Sequence, residues 1–402
     1  MRILHTSDWH LGRTLHQVDL IEHQAAFLDH LVEVVREEQV GAVVVAGDVY
    51  DRAIPPVEAV RLLGDALARL SELTQVVLTP GNHDSATRLG FGAELMRDTL
   101  HVRARVADVS RPVELDGEDG ALLVYALPYL DPDDARHHLA DDPAEPLARS
   151  HEAVLSAAMR RISADLAQRR AGGGPRVPAV VAAHAFVTGG EVSESERDIR
   201  VGGVDSVPSG VFRGVDYVAL GHLHGAQSVP IATLDGAEGS GVGRTVARYS
   251  GSPLAYSFSE MNHTKSTVLL DVGPDGVRGE PQLIAAPVPR RMGEVTGTLE
   301  GILGAAGEKH VDRWVRVTVT DPVRPADLHA RVRARLPHAL SITYAPPARE
   351  GSERAGVVTA AADPLEVCAS FVDHVRGSAP SAAEQRVLRD VLEHVNAAER
   401  SA

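Results

Sequence analysis

A chain of 402 residues is too long for one ordinary domain and suits a large domain with one or two small ones. Hydrophobic content of 44% and charged content of 24% are those of a globular protein in water, and the net charge of −15 argues against a basic nucleic-acid-coating protein. No apolar run reaches membrane-span length, no signal-peptide layout follows Met1, and Cys368 has no second cysteine to pair with, so a cytoplasmic protein with no membrane partner is expected. The acidic balance does not exclude a DNA enzyme, because bound divalent cations offset carboxylates where a phosphate must approach. The basic side chains are nearly all arginine, which pairs bidentately with phosphate; lysine stands only at Lys265 and Lys309.

In chain order, Ile3–His5 reads as a strand ending in the turn Ser7-Asp8-Trp9-His10. Ile21, Ala25, Leu28, Leu31 and Val35 then keep helical spacing. Ala42–Ala46 is a second strand before Gly47-Asp48, and Val60, Leu63, Leu67, Leu70 and Leu73 mark a second helix. Val76–Leu78 runs into Pro80-Gly81-Asn82-His83-Asp84. Acidic, proline-bearing Asp131–Pro146 reads as a surface loop, Leu155, Met159, Ile162 and Leu166 as a helix, and Gly172–Pro175 as another loop. Ala179–Ala183 precedes His184, Tyr217–Leu220 precedes Gly221-His222-Leu223-His224, and glycine-rich Thr233–Gly243 reads as a hairpin tip. Continuous apolar runs suit strands buried on both faces. Strands alternating with helices predict an α/β sheet, in which polar function gathers beyond the carboxyl ends of the strands.

Beyond about residue 285 the texture changes. Strands are expected at Arg290–Thr296, Trp314–Thr320 and Ser341–Tyr344, with helices at Leu299–Ala306 and Ala326–Leu336 between them. Pro347–Gly356 reads as a linker. Two helices follow: one capped by Asp363, with Pro364 in its first position and Gly377 stopping it, the other opened by a Ser381/Glu384 capping box. The domain expectation is 1–285, 286–346 and 361–402.

A lone Asp-x-His motif is far more often a capped turn than a metal site. Here Asp8-x-His10, Gly47-Asp48-x-x-Asp51, Gly81-Asn82-His83-Asp84 and Gly221-His222-x-His224 each follow a predicted strand, and His184 adds a fifth strand end. Such ends deliver Asp8, His10, Asp48, Asn82, His184, His222 and His224 to one crevice as candidate metal ligands. Residues i and i+2 of an extended segment point the same way, so Asp8 and His10 can reach one ion. Asp48, whose carboxylate has two oxygens, is the candidate bridge. Mixed His/Asp/Asn ligation without thiolate suits Mn²⁺, Fe²⁺ or Zn²⁺. Two such ions ~3.5–4 Å apart activate water and stabilise phosphoryl oxygens. His83 suits a phosphate contact or the catalytic proton donor to the leaving oxygen better than a ligand, with Asp84 available to orient its ring. Asp51 is structural about as often as functional.

With these motifs the chain resembles the calcineurin-like metallophosphoesterase superfamily, and within it the SbcD nuclease family, whose members work with an SbcC ATPase. Ile3–Gly12, Glu194–Ile199, Asp216–His224 and Tyr249–Pro253 carry the resemblance, which is close over residues 1–260. It implies a β-sandwich flanked by helices, with a small α/β capping domain and C-terminal helices. It further implies that Asp8, His10, Asp48 and His224 hold one manganese, and Asp48, Asn82, His184 and His222 the other. The implied substrate is DNA, cut as a 3′–5′ exonuclease on duplex ends and an endonuclease on single strands or hairpins, in recombination, repair and replication. The implied partners are an SbcC-like coiled-coil ATPase, gripped by the last helices through Cys368, Phe371, Val372, Val375, Val387, Leu388, Val391, Leu392 and Val395, and a second copy in a homodimer. The alternatives are another two-metal phosphodiesterase or phosphatase, and a metal-free scaffold that kept the fold; the complete ligand set argues against the last. Thr188–Arg200 reads equally as a surface loop or as part of the active-site mouth.

Overall fold

The computed structural model describes residues 1–117, 120–171, 175–196, 206–231, 244–288, 290–347, 363–376 and 378–400. They fall into two compact units, Met1–Met292 and Gly293–Ala402. No described helix is long and apolar enough to cross a membrane.

The first unit is built on two six-stranded sheets. One has the order Gly276–Ala285, Ser266–Gly273, Arg2–Thr6, Ala42–Ala46, Gln75–Thr79, Leu100–Val102. Its last four strands run parallel, and Ser266–Gly273 joins Arg2–Thr6 antiparallel. The other has the order Gln227–Val229, Val246–Tyr249, Tyr217–Gly221, Ala179–His184, Gly120–Ala126, Val113–Gly117, with its four central strands parallel.

The apolar runs are fully buried because each strand has two covered faces. Ala42, Val44 and Ala46 pack with Val180, Ala182, Tyr217 and Ala219 between the sheets. Val43 and Val45 face the other way, under Phe27, Leu28, Leu31, Leu63 and Leu70 of the helices Ile21–Glu37 and Val57–Ser71. Helix His151–Arg170 covers the second sheet, with Val154, Leu155, Ala158 and Ile162 over Tyr125, Val181, Val218 and Leu220. Burying each large aliphatic side chain contributes roughly 1.5–3 kcal/mol. Strand–helix alternation by itself predicts one sheet; the structure has two, because a run buried against a second sheet carries the same pattern as one buried against a helix. The fold is a β-sandwich flanked by helices, as the resemblance implies.

Asp131–Pro146 is not wholly loop. Pro132–His138 is a helix whose N-cap, Asp131, accepts the Asp133 N–H at 2.9 Å, and Pro132 supplies the fixed φ of its first position. The composition of that segment is cap chemistry, read in sequence as turn chemistry. Gln227–Val229 and Val246–Tyr249 pair antiparallel, as a hairpin requires, while the expected tip lies outside the described residues from 232 to 243, as Gly172–Gly174 and most of the 347–356 linker do.

In the second unit a sheet of order Met292–Gly297, Trp314–Val319, Ala339–Tyr344 packs Val295, Val315 and Val317 against Leu299, Ile302, Leu328, Val332 and Leu336. The expected first helix is broken at Gly304 into Leu299–Leu303 and Ala305–Glu308. Helices Pro364–Arg376 and Ala382–Arg400 close the chain. The capping box forms: Ser381 N–H donates to Glu384 Oε2 at 2.7 Å and Glu384 N–H to Ser381 Oγ at 3.4 Å. Gly377 lies outside the described residues.

Candidate metal centre

The carboxyl ends of five parallel strands, three in one sheet and two in the other, meet at one end of the sandwich. The chain turns sharply there, and the turns use rare backbone. Asp8, His10, Asp48 and His222 have φ of 54°, 46°, 49° and 105°, values that cost energy in any residue but glycine. Asp8 and His10 therefore do not project as alternate residues of an extended strand. Left-handed turns aim them, pinned by Asp8 N–H to Gly47 O and His10 N–H to Asp48 O, both 3.0 Å.

The sheets nearly touch at this end. A Cβ on Gly221 would stand 1.9 Å from the Ala46 oxygen, and one on Gly47 would stand 2.4 Å from His184 Nδ1. Only glycine admits that approach, and the approach brings the two ligand-bearing sheets into one cluster. Asp8, His10 and His224 have donor atoms within 4.8 Å of one another, as do Asp8, Asp48 and His184. The Nε2 atoms of His10 and His224 are 3.1 Å apart. Asn82 Oδ1 lies 2.8 Å from His184 Nε2 and 3.3 Å from His222 Nδ1. Asp48 Oδ2 stands between the two groups, 3.6 Å from His10 Nε2 and 3.5 Å from His184 Nε2. Its Oδ1 accepts the His83 backbone N–H at 2.9 Å, so a single oxygen occupies the shared position.

Ring orientation follows from acceptors behind each histidine. His184 Nδ1 lies 3.0 Å from the Ala46 carbonyl, which can only accept, so Nδ1 carries the proton and Nε2 presents its free pair. His224 Nδ1 faces the Glu260 carboxylate at 3.3 Å with the same result. His184 Nε2 and Asn82 Oδ1 are then two acceptors face to face at 2.8 Å, a pair that a cation would satisfy.

Burial and the charge of Asp48 push Asp8 well above the ordinary carboxylate range. Burial and then the neighbouring imidazoles push His10 and His222 well below theirs. Crowded buried carboxylates and neutral imidazoles form the donor set a divalent cation stabilises.

His83 stands at the rim. Its Nδ1 donates to the Asp51 carbonyl at 2.7 Å, turning Nε2 to within 3.9 Å of Asp48 Oδ2. Asp84 has a different role from the one expected. It does not hold the His83 ring but accepts three backbone N–H groups, from Val49 at 3.0 Å, Tyr50 at 2.8 Å and Gly81 at 2.9 Å, tying the two turns together. Burial and the charge of Asp48 push Asp84 up to about 7. The ring is oriented by the Asp51 carbonyl, while the Asp51 carboxylate faces Arg13 at 3.5 Å.

Sequence reasoning missed several supporting groups. Ser7 Oγ donates to Asp8 and meets Ser250 Oγ at 2.8 Å, and Gln24 Nε2 donates to His10 O at 2.7 Å. Tyr249 OH ties Ala185 O and Val187 N–H beyond His184. Glu260 and Lys265 form a buried ion pair of 2.5 Å beneath His224. One signal pointed to Lys265: it is one of two lysines in an arginine-rich chain, set among strand residues. Of Glu194–Ile199, Ser195 and Glu196 contact His224, whereas 197–199 lie outside the described residues.

Residues 1–226 match the calcineurin-like phosphoesterase family. The chain belongs to that family. A phosphoesterase of this kind is a hydrolase, and its clustered histidines and carboxylates form a divalent-metal site. Residues 288–376 match a second family, SbcD_C, described as the type 5 capsule protein repressor C-terminal domain, so this phosphoesterase is SbcD-like in domain composition. Solved structures that resemble it include a Thermus thermophilus protein, at 15% identity and TM-score 0.37, covering 70% of this chain and 98% of that one. A dimetal phosphatase from Danio rerio matches at 12% identity and TM-score 0.41, covering 71% and 99%. The anchor in the inner membrane complex of Plasmodium matches at 10% and 0.37, covering 86% and 97%. At these scores the likenesses carry no argument about function.

Proposed function

We propose that this phosphoesterase is an SbcD-like DNA nuclease using two divalent ions, manganese by preference. Asp8, His10, Asp48 and His224 hold one ion, and Asp48, Asn82, His184 and His222 the other. The observation that carries this reading is that Asp48 Oδ2 stands between His10 Nε2, at 3.6 Å, and His184 Nε2, at 3.5 Å, each within its own donor cluster, in a chain that also has an SbcD-type C-terminal domain. Bound there, the ions supply Lewis-acid activation of water and charge neutralisation at a phosphodiester.

The protein's own groups do the rest. His83, its Nδ1 fixed by Asp51 O, points Nε2 into the centre and is the group to hand a proton to the leaving sugar oxygen. A cavity of about 340 Å³ lined by Arg13, Thr14, Asp51, Arg52, Ala53 and His83 gives a phosphate backbone a cationic approach. Residues 1–285 carry the chemistry and 286–346 cap the DNA. Residues 361–402 dock on the coiled coil of an SbcC-like ATPase, a role supported by Phe371, Val375, Val387 and Val391 each being more than half exposed. The protein works in the cytoplasm as a homodimer, in recombination, repair and replication.

The test is a nuclease assay on blunt, hairpin and single-stranded DNA with Mn²⁺ or Mg²⁺, with and without the ATPase and ATP. Cleavage of single strands by the protein alone, and of duplex ends with the partner and ATP, is expected. Hydrolysis of phosphomonoesters or cyclic nucleotides with DNA left intact would make the protein a small-molecule phosphatase or phosphodiesterase instead.

A further inference from the structure

Every polar atom of His224 except Nε2 is held. Its backbone N–H donates to Glu196 Oε1 at 2.8 Å, and its carbonyl accepts from Lys265 Nζ at 3.0 Å. Its Nδ1 meets Ser195 Oγ at 2.7 Å and Glu260 Oε1 at 3.3 Å. Behind it Glu260 is 1% exposed and Lys265 4%. Lys265 Nζ reaches Glu260 Oε2 at 2.5 Å and Ser252 Oγ at 2.9 Å. Glu260 also accepts from the Ser195 hydroxyl and from Tyr256 N–H at 3.2 Å.

A buried carboxylate without a counter-charge is costly, and Lys265 supplies that charge. The other side of the centre is built differently: the outer nitrogen of His184 rests on a neutral carbonyl, Ala46 O. A carboxylate partner makes an imidazole the more electron-rich ligand and fixes its ring more strongly than a carbonyl does.

We propose that Glu260, held in place by Lys265, is a positioning residue for His224 and sets a higher ion affinity on the Asp8–His10–His224 side of the centre than on the Asn82–His184–His222 side. This deepens the two-metal reading and rests on it. The two positions therefore fill in order, the His224 side first. Ser195 is the outer part of the same support, so the segment carrying it contributes to holding that ion.

The experiment titrates ion-free full-length protein with Mn²⁺, reading free manganese by electron paramagnetic resonance and heat by calorimetry, with thermal unfolding of the ion-free form measured alongside. Wild type is expected to show two unequal sites. Glu260→Gln, nearly isosteric, should weaken the tighter site by about 10–100-fold and leave the other unchanged. Ser195→Ala, at a half-buried position, should weaken the same site by less, and serves if the Glu260 variant does not fold. A purely structural role would lower the unfolding temperature of the ion-free protein without moving either affinity, and that result overturns the proposal, as does equal weakening of both sites. Wild type that binds no manganese at all would instead overturn the two-metal reading beneath it.

Discussion

Replacing Gly221 by alanine puts a methyl group where the two sheets meet. Its Cβ would stand 1.9 Å from Ala46 O and 2.8 Å from His184 Nδ1, against 3.4 Å or more for an ordinary contact. Neither neighbour is a flexible side-chain end, so the strands Ala42–Ala46 and Tyr217–Gly221 must part by well over an ångström. Overpacking of this kind costs about 1–3 kcal/mol, and the His184–Ala46 hydrogen bond lost with it about 1 kcal/mol more. For a unit of this size the unfolding temperature should fall by roughly 3–7 °C. The shift also separates Asp8, His10 and Asp48 from His184, His222 and His224, and a displacement of about 1 Å at a reacting centre is worth on the order of 10²-fold in rate. Thermal unfolding, bound manganese and hydrolysis of bis(p-nitrophenyl) phosphate measure the three consequences. A variant with wild-type manganese content and turnover would refute the idea that the touching sheets hold the cluster together.

Asp48→Ala should lose manganese and DNA cleavage together, since two cations without their shared anion repel each other; two bound ions and normal turnover would contradict the bridging position. His83→Ala should keep both ions and lose about 10²–10⁴-fold in nuclease rate, as for removal of a general acid; loss of one ion, read by metal analysis, would make His83 a ligand. Leu388→Glu, on the apolar face of the last helix, should abolish capture of the ATPase in a pull-down while single-strand cleavage continues; unchanged capture would return that face to its own unit. Acidity gives a further check. Asp8 and Asp84 bind protons more tightly folded than unfolded, so in the ion-free form their contribution falls as pH rises, for Asp84 through about 7. Manganese requires Asp8, the ligand of the two, deprotonated. The rise in unfolding temperature on adding Mn²⁺ should therefore be larger at about pH 7 than at about pH 5, and an equal rise at both would contradict the cluster's electrostatics.

The sequence by itself determined the elements and the chemistry on their ends. Ala42–Ala46, Tyr217–Leu220 and the helical spacing from Ile21 to Val35 correspond to elements within a residue or two, because uninterrupted apolar runs and 3.6-residue periodicity are local properties. The Ser381/Glu384 cap was equally legible, its partners being three residues apart. Asp131-Pro132 misled because cap and turn use the same residues. The tertiary structure decided what the hydrophobic pattern left open, that the five strand ends come from the two sheets of the sandwich the resemblance implies, since burial under a helix and burial under a sheet leave the same pattern. It alone set the rings: Ala46 O is 138 residues from His184, and Glu260 is 36 from His224. No spacing rule reaches across such separations, so which nitrogen faces the ion, and which carboxylate stands behind the histidine, is written in the approach of the two sheets and not in any motif.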